Sequence, residues 1–269
     1  PDTVPPAVAK SFSALIPGTV CIFLAGCIYW LFSWAHWGNL HDVIMNILAK
    51  PLGLLGNTLL GTLASIILVS LFWFVGIHGG NVVNTAMSPI WLMQTDANRV
   101  LNQSGKLDLA HGGNIITQPF IDNFVYMGGA GATLGLVLCV GYLVWKKRAS
   151  KQNEILAPLT IVPGIFNINE PTMFGLPVVL NLSLIIPFII APMFNAITTY
   201  TAMKLGWVPL CNGTVIPWTM PPLISGFLAT NSIAGSILQL FNIIVDILIY
   251  LPFMSALNKR QIVEESRKG

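Results

Sequence analysis

A lone carboxylate in a long apolar stretch is the residue of this sequence best suited to chemistry. Glu170 is the only acidic or basic residue between Glu154 and Lys204. A charged side chain at the centre of a bilayer costs about 2.5 kcal/mol or more, so such a residue is usually retained for function. A carboxylate of this kind accepts hydrogen bonds from hydroxyl groups and acts as a general base. Two alternatives remain open, a carboxylate at a helix terminus and one partner of a buried ion pair.

Several other polar side chains lie in similarly apolar surroundings and are candidates to bind the same ligand. His78 precedes two glycines, which let a ligand approach the backbone closely. The alternative for His78 is a core histidine with a backbone partner. Trp218 follows a proline in an uncharged loop, where it either stacks on a flat ligand face or belongs to an interfacial aromatic belt. The remaining candidates are the amides Asn81, Asn84, Asn167 and Asn169.

A second string with the order His-Gly-Gly-Asn occurs at His111–Asn114. It is a further candidate ligand element. Lys106 and Asp108 stand beside it, however, so the sequence favours a solvated loop at this position.

The composition predicts an integral membrane protein. Of the 269 residues 54% are hydrophobic and 9% are charged, and the mean hydropathy is +0.74, whereas soluble domains carry about a quarter charged residues. The net charge of +3 is small and indicates no nucleic-acid partner. The sequence lacks a phosphate-binding loop, a His-Glu-x-x-His motif and a Gly-x-Ser-x-Gly motif, so neither cofactor nor metal is expected. Four cysteines without metal-ligand spacing are interpreted as buried thiols rather than disulfides: Cys21, Cys27, Cys139 and Cys211.

Long apolar runs are the elements that must position these side chains. A hydrocarbon core requires about 20 helical residues, and five runs predict spanning helices: Ser11–Ala35, Leu54–Ile77, Phe124–Trp145, Leu176–Met203 and Ile233–Phe253. His41–Leu55 is shorter and amphipathic, which predicts a helix lying in the membrane interface. The basic cluster Lys146–Lys151 follows the third run and indicates the cytoplasmic side by the positive-inside rule.

Two segments carry too much proline, glycine and asparagine for a plain spanning helix. Pro163–Pro177 surrounds Glu170, and Gly76–Trp91 contains His78. Irregular backbone at membrane depth occurs only where protein buries it or where it lines a wet cavity. We therefore expect re-entrant, non-helical backbone in both segments. Counting from the basic cluster places the Glu170 hairpin opening, and the C-terminus, on the cytoplasmic side.

The expected fold is an all-α, polytopic helical bundle with re-entrant hairpin loops and an interfacial amphipathic helix. Residues 1–53 are predicted to hold the first spanning helix and the amphipathic helix. Residues 54–258 are predicted to form the translocating membrane domain, and 259–269 a charged cytoplasmic tail. The sequence opens at Pro1 without an initiator methionine and is interpreted as the latter part of a longer protein.

The segment around Glu170 closely resembles the signature of one membrane-protein family. Gly164–Pro177 is similar to the signature of the IIC subunits of the bacterial phosphoenolpyruvate-dependent sugar phosphotransferase system, in the lactose/cellobiose/diacetylchitobiose branch. Gly76–Gly79 and Gly128–Gly135 look like the same family. The resemblance implies a multi-pass sugar permease of the bacterial cytoplasmic membrane that binds a disaccharide at mid-membrane.

The same resemblance implies roles for the candidate residues. Glu170 and His78 would bind the sugar hydroxyl that becomes phosphorylated, normally that on C6, and Trp218 would stack on a sugar ring. The amides Asn167, Asn169 and Asn81 would be further sugar contacts. The phosphoryl group would come from a cysteine of a separate phosphorylated IIB subunit, supplied in turn by IIA. The family also implies a homodimer that is formed through an N-terminal half.

Two other functions are compatible with the residues themselves. Lone membrane carboxylates often couple transport to protons, so Glu170 is also a candidate protonation site of a secondary sugar transporter. That transporter releases unmodified sugar, whereas group translocation delivers sugar phosphate. The third possibility is a non-transporting membrane scaffold or sensor.

Overall fold

The structure is a computed structural model that describes residues 6–34, 56–176 and 178–268. The amphipathic helix predicted at His41–Leu55 lies outside the described residues, as do Ala35, Pro177 and Gly269. The chain divides into two compact units, Pro1–Pro51 and Leu52–Gly269.

The secondary structure of the described residues is helical throughout, without strands, as the composition predicts. The first unit contains α1, Pro6–Trp34. The elements of the second unit are α2 (Leu59–Phe74), α3 (Gly79–Gln103), a short π-helix (Phe120–Val125), α4 (Leu134–Trp145), α5 (Lys151–Ile165), α6 (Glu170–Gly175), α7 (Leu182–Lys204), α8 (Ile224–Thr230) and α9 (Ile233–Lys268).

Two of the described helices are long and apolar enough to cross a membrane. They are α7 and the Ile233–Arg267 part of α9, with mean hydropathy of 1.8 and 2.0 in their most apolar windows. α7 overlaps the predicted span Leu176–Met203. α9 contains the predicted span Ile233–Phe253 and continues as helix to Lys268, through most of the predicted tail. The other three predicted spans contain shorter apolar helical stretches: Pro17–Leu31, Leu59–Phe74 and Leu134–Trp145.

The prediction of non-helical backbone over Gly76–Trp91 is wrong for most of that segment. α3 is continuous from Gly79, and the chain departs from helix only at the preceding turn. The small and polar residues form one face of an amphipathic helix instead of breaking it. A Cβ atom at Gly79 would overlap the carbonyl group of Val69, so glycine is required where α2 and α3 meet.

The predicted span at Phe124–Trp145 begins later than expected, because α4 starts only at Leu134. Before it, the chain forms the π-helix and a series of turns. Gly129 has φ +95°, a conformation that glycine adopts without strain. π-helical turns are rare and frequently occur at functional sites.

The segment around Glu170 is a helical hairpin formed by α5 and α6, which pack against each other. Asn167 makes the turn in the left-handed region, at φ 62°, which asparagine tolerates better than most residues. A Cβ atom at Gly175 would lie 2.7 Å from Leu156 Cδ2, so the two helices approach closely. The backbone around Glu170 is thus more regular than its prolines and glycines predict.

α9 forms the centre of the second unit and packs against α4, α7 and α8. Its buried face carries polar residues at helical spacing that bind backbone near the hairpin. Gln239 Nε2 donates to the Asn123 carbonyl oxygen at 2.7 Å, and the Tyr250 hydroxyl donates to the Gly131 carbonyl oxygen at 2.6 Å. These bonds fix the π-helix and the following turns on a rigid support.

The cysteine prediction is correct for two of the four positions. Cys139 and Cys211 are buried free thiols, whereas Cys21 and Cys27 on α1 are exposed. All four are free, so the described residues contain no disulfide.

Candidate functional site

The structure brings the six residues that were expected to contact the ligand into one cavity. The cavity has a volume of about 560 Å³, within the usual range for small-molecule sites. Its walls come from α2, α3, the π-helix, the turns before α4, the hairpin and the loop before α8. The six residues in its wall are His78, Asn81, Asn167, Asn169, Glu170 and Trp218.

His78 caps the N-terminus of α3, and its Nε2 atom faces Glu170 at the wall of the cavity. Its Nδ1 accepts a hydrogen bond from the backbone N–H of Asn81 at 3.1 Å. Because Nδ1 is the acceptor in that bond, a neutral His78 carries its proton on Nε2 and is a donor there. The ring of Trp73 lies 4.5 Å from the imidazole, centroid to centroid, and fixes its position. His78 is therefore a helix cap whose Nε2 faces Glu170, and the alternative of a core histidine does not describe this half-exposed side chain.

Glu170 is the first residue of α6, so the alternative of a helix-terminus carboxylate describes its place in the fold. Its Oε1 lies 3.8 Å from His78 Nε2, and the two side chains are 47% and 42% exposed, respectively. The half-exposed carboxylate faces the cavity, which avoids most of the desolvation cost that burial would impose. Its partner comes from another part of the chain, which is why the sequence offered no neighbouring cation.

The two asparagines of the hairpin hold backbone in place. Asn167 Oδ1 accepts from the Gly128 N–H at 2.7 Å, and its Nδ2 donates to the carbonyl oxygens of Trp218 and Met220 at 2.7 and 3.0 Å. Asn169 Nδ2 donates to the Ala130 carbonyl oxygen at 3.1 Å. Both asparagines are 5% exposed. Their amides therefore join the hairpin to the turns before α4 and to the Trp218 loop.

Trp218 and Asn81 offer more surface to a ligand. The Trp218 side chain is 56% exposed at the wall of the cavity, while its carbonyl oxygen is held by Asn167. An exposed indole face in this position suits contact with the C–H groups of a ring. Asn81 is exposed on the first turn of α3. Asn84, the other amide candidate, lines the same cavity one helical turn later.

Sequence reasoning missed a second carboxylate in this cavity. Asp122 lies on the π-helix, and Gln118 Nε2 donates to its two carboxylate oxygens at 2.9 and 3.0 Å. Burial raises the pKa of Asp122 to about 6, and the hydrogen bonds from Gln118 oppose that shift. The same signal that identified Glu170 was available, since Asp122 is the only acidic or basic residue, apart from histidine, between Asp108 and Lys146.

The His111 string belongs to a polar loop and does not line the cavity. His111 Nδ1 lies 2.8 Å from both carboxylate oxygens of Asp108, and both side chains are about half exposed. This hydrogen bonding by His111 lowers the pKa of Asp108. The solvated-loop interpretation therefore describes its geometry.

The cavity offers acceptors, a donor and an aromatic face rather than a metal site. Glu170 and Asp122 supply carboxylate oxygens, His78 supplies a ring nitrogen, and Trp218 supplies a flat apolar surface. No group of three or more His, Cys, Asp or Glu side chains in the described ranges is placed to hold a metal ion. Two carboxylates disfavour an anionic ligand. The arrangement suits a neutral ligand with several hydroxyl groups and a flat C–H face.

Several known proteins are similar to this chain in sequence. Residues 1–192 match the family model described as "Phosphotransferase system, EIIC". The "Lichenan permease IIC component" of Bacillus subtilis (strain 168) is 42% identical over 267 residues, or 99% of this chain and 57% of that protein. The "PTS system cellobiose-specific EIIC component" of Geobacillus stearothermophilus is 43% identical over 267 residues, or 98% of this chain and 58% of that protein.

A solved structure has a similar fold. The crystal structure of the transporter ChbC, the IIC component from the N,N'-diacetylchitobiose-specific phosphotransferase system, matches with a TM-score of 0.74 and 44% identity. The match covers 99% of this chain and 60% of ChbC. The chain thus spans less than two thirds of the length of these relatives. Family, sequence and fold agree, and the chain belongs to the EIIC family, the membrane component of the phosphotransferase system.

Proposed function

We propose that this chain forms the sugar-binding and sugar-translocating part of a phosphotransferase-system permease. The permease takes up a disaccharide of the cellobiose, diacetylchitobiose or lactose type and presents its C6 hydroxyl for phosphorylation by a IIB partner. The observation that carries this proposal is the 3.8 Å separation of His78 Nε2 and Glu170 Oε1 at the wall of one polar cavity. The names of the similar proteins support the disaccharide class.

The C6 hydroxyl binds between these two groups. His78 Nε2–H donates to the hydroxyl oxygen, and the hydroxyl proton is donated to the Glu170 carboxylate. Trp218 packs on the C–H face of a sugar ring, Asn81 contacts a hydroxyl at the cavity wall, and Asp122 accepts from another hydroxyl. Asn167 and Asn169 hold the hairpin and the Trp218 loop in register with the sugar. This assignment gives a role to seven of the residues that line the cavity.

Phosphoryl transfer then proceeds by in-line displacement on the partner. The C6 oxygen attacks the phosphorus of the phosphocysteine on IIB, the phosphorus–sulfur bond breaks, and the cysteine leaves as a thiolate. Glu170 accepts the hydroxyl proton, as a general base does. The product is the sugar 6-phosphate, and IIA restores the phosphate on IIB. The chain itself supplies binding and a base, without a cofactor.

The permease is a multi-pass bundle in the bacterial cytoplasmic membrane, with residues 54–258 as the translocating domain and the C-terminus in the cytoplasm. The α5–α6 hairpin is re-entrant and opens toward the cytoplasm, where IIB approaches. The basic residues after α4 support this orientation by the positive-inside rule. The working permease is a homodimer. Family membership does not support the alternative of proton-coupled sugar transport through Glu170.

The test is sugar phosphorylation in membrane vesicles supplied with IIA, IIB and phosphoenolpyruvate. Glu170→Gln keeps the shape of the side chain and removes the base, so we expect the rate to fall by about 10²- to 10⁴-fold. Glu154→Gln, an exposed glutamate in the first turn of α5, is the matched control and retains the wild-type rate. Phosphorylation by Glu170→Gln at the wild-type rate would exclude Glu170 as the base. Accumulation of unmodified labelled sugar would favour secondary transport.

A further inference from the structure

An apolar groove lies between the last turns of α7 and the first turns of α9. Its volume is about 600 Å³, and none of the described residues that line it is acidic or basic. Ala202 of α7 and Ala234 of α9 are among those residues, and their short side chains leave room between the two helices. The larger side chains of Ile197, Trp207 and Phe241 form its rim. We call this feature the α7–α9 groove.

Polar groups in the wall of the α7–α9 groove are bonded within the protein. The Thr198 hydroxyl donates to Asn242 Oδ1 at 2.8 Å, a bond that joins α7 to α9. The backbone N–H of Trp207 donates to the Ala202 carbonyl oxygen at 2.9 Å, so the chain after α7 folds back over the end of that helix. The groove therefore offers a ligand mainly hydrocarbon surface.

The position of the α7–α9 groove exposes it to the bilayer. α7 and α9 are the described helices that are long and apolar enough to cross a membrane. At 1.5 Å per residue, Ile197 lies about 10 Å along the axis of α7 from Lys204. Half of a hydrocarbon core is about 15 Å thick. The groove thus has the length of an acyl segment within one leaflet.

A lysine and two aromatic rings lie at the end of α7, beside the groove. Lys204 is the only acidic or basic residue between Glu170 and Asp246. It follows Thr201 by three residues, which places the two on adjacent parts of one helix face. Lys204 Nζ lies 5.9 Å from the centroid of the Tyr200 ring. Aromatic and lysine side chains of this kind are typical of the membrane–water boundary.

The charge of Lys204 is available to a ligand. Within the described ranges it forms no ion pair with a carboxylate of the protein. A phosphate group at the bilayer surface attracts such a cation. The described lining of the groove offers no carboxylate to bind the ammonium group of a zwitterionic headgroup. The charges therefore favour an anionic headgroup.

We propose that the α7–α9 groove binds one acyl chain of an anionic phospholipid, whose phosphate group pairs with Lys204. The acyl chain lies between Ala202 and Ala234, and the indole of Trp207 covers its water-facing end. This site is separate from the sugar cavity, because the two share no lining residue. The proposal therefore does not depend on the proposed function.

The test measures quenching of tryptophan fluorescence by a lipid with brominated acyl chains. The protein is reconstituted in nanodiscs of phosphatidylcholine that contain an increasing fraction of brominated phosphatidylglycerol. The Trp207 signal is the difference between wild type and Trp207→Phe. Trp145 provides a matched reference through Trp145→Phe, since it is 73% exposed against 72% for Trp207 and lies 4.4 Å from Lys146 Nζ, yet does not line the groove.

We expect half-maximal quenching of Trp207 at a fraction of phosphatidylglycerol about tenfold lower than that for Trp145. Ala234→Phe fills the groove and Lys204→Gln removes the cation, so each should raise the fraction for Trp207 toward that for Trp145. Lys146→Gln is the control for a lysine outside the groove and leaves the quenching of Trp207 unchanged. Cellobiose binding by Ala234→Phe and Lys204→Gln shows that both variants are folded.

Each outcome supports or overturns the lipid site. A lower half-quenching fraction for Trp207 that is lost in both variants supports it. Equal quenching of Trp207 and Trp145 overturns it, because Trp207 then reports only the surrounding bilayer. Preferential quenching of Trp207 that survives either substitution also overturns it. Absence of Trp207 quenching at every lipid fraction overturns it as well, since protein then covers the groove.

Discussion

The side-chain amide of Asn167 donates to the carbonyl oxygen of Trp218 over 2.7 Å, although 51 positions separate the two residues. Its oxygen accepts at the same time from the Gly128 N–H. One buried side chain therefore joins the hairpin turn, the turns before α4 and the loop that carries the indole. The positions of Glu170 and Trp218 relative to each other depend on this side chain.

Replacing Asn167 therefore weakens sugar binding without removing a proposed sugar contact. Asn167→Asp keeps the acceptor for Gly128 and loses the donor to the Trp218 loop, whereas Asn167→Ala loses both. Each lost hydrogen bond that leaves a buried backbone group without a partner costs about 1–3 kcal/mol of stability. We expect cellobiose affinity to fall at least tenfold in both variants, and thermal stability to fall in both, since Asn167→Asp also places a carboxylate oxygen against two carbonyl oxygens. Unchanged affinity in Asn167→Asp would show that the Trp218 loop is held by other contacts.

Substitution can separate the two roles of the His78 side chain, which are capping α3 and donating a hydrogen bond from Nε2. Asparagine is a preferred N-cap residue, so His78→Asn keeps the cap of α3 and loses the nitrogen that faces Glu170. His78→Ala loses both and costs about 1 kcal/mol of stability as well. Thermal unfolding is expected to match wild type for His78→Asn, while sugar phosphorylation falls in both variants. Wild-type phosphorylation by His78→Asn would confine the role of His78 to capping.

The proposed contact between Asp122 and a sugar hydroxyl predicts that sugar binding depends on pH. Its raised pKa of about 6 means that the carboxylate is mostly protonated at pH 5 and mostly ionised at pH 7. The ionised form is the stronger acceptor for a sugar hydroxyl, so affinity should rise by about tenfold as pH rises across this range. Asp122→Asn removes this component, and comparison with wild type separates it from contributions of His78 and Glu170. An identical pH profile in Asp122→Asn would place Asp122 outside the sugar contacts.

Asp246 gives a prediction about stability alone. It is fully buried on α9, where its Oδ2 accepts from Asn195 Nδ2 at 3.0 Å. Within the described residues, the Oδ1 atoms of Asp246 and Asn195 have no hydrogen-bond partner. Asp246→Asn supplies a donor for Asn195, so its melting temperature should equal or exceed that of wild type. Asp246→Leu removes one of the two acceptors of Asn195 Nδ2, leaves only the bond to the Val125 carbonyl oxygen at 3.3 Å, and should lose about 1–3 kcal/mol. Equal destabilisation by both variants would contradict this account.

Many of the residues that line the cavity were predictable as candidates from residue types. A carboxylate, a histidine and asparagines in apolar surroundings are costly unless they bind something, and Glu170, His78 and Asn167 were found on that basis. Their convergence could not be predicted from spacing, because it depends on how α2, α3 and the hairpin pack. Whether a residue is available to contact a ligand or instead holds other segments in position could not be predicted either, because that depends on its burial in the folded chain. Asn167 and Trp218 looked like equal candidates, yet one is buried and the other is exposed.

Local backbone was harder to predict where glycine and proline are frequent. Pro89 lies inside the continuous helix α3, and Pro163 inside α5. Proline disfavours an isolated helix because it removes a donor and clashes with the preceding turn. Packing against neighbouring helices compensates for that cost. The strength of this packing cannot be predicted from the sequence alone. The expected interruptions are therefore shorter than the residue pattern indicates.

Three lone carboxylates illustrate what the sequence determined and what only the tertiary structure decided. Glu170, Asp122 and Asp246 each stand isolated in an apolar run, so residue types alone determine that all three are expensive to bury, although sequence reasoning singled out only Glu170. Tertiary packing turned the first two toward one cavity and enclosed the third between α9 and its neighbours. The reason is physical. The cost of burying a charge is a property of the residue, whereas its access to water and partners depends on contacts between distant segments.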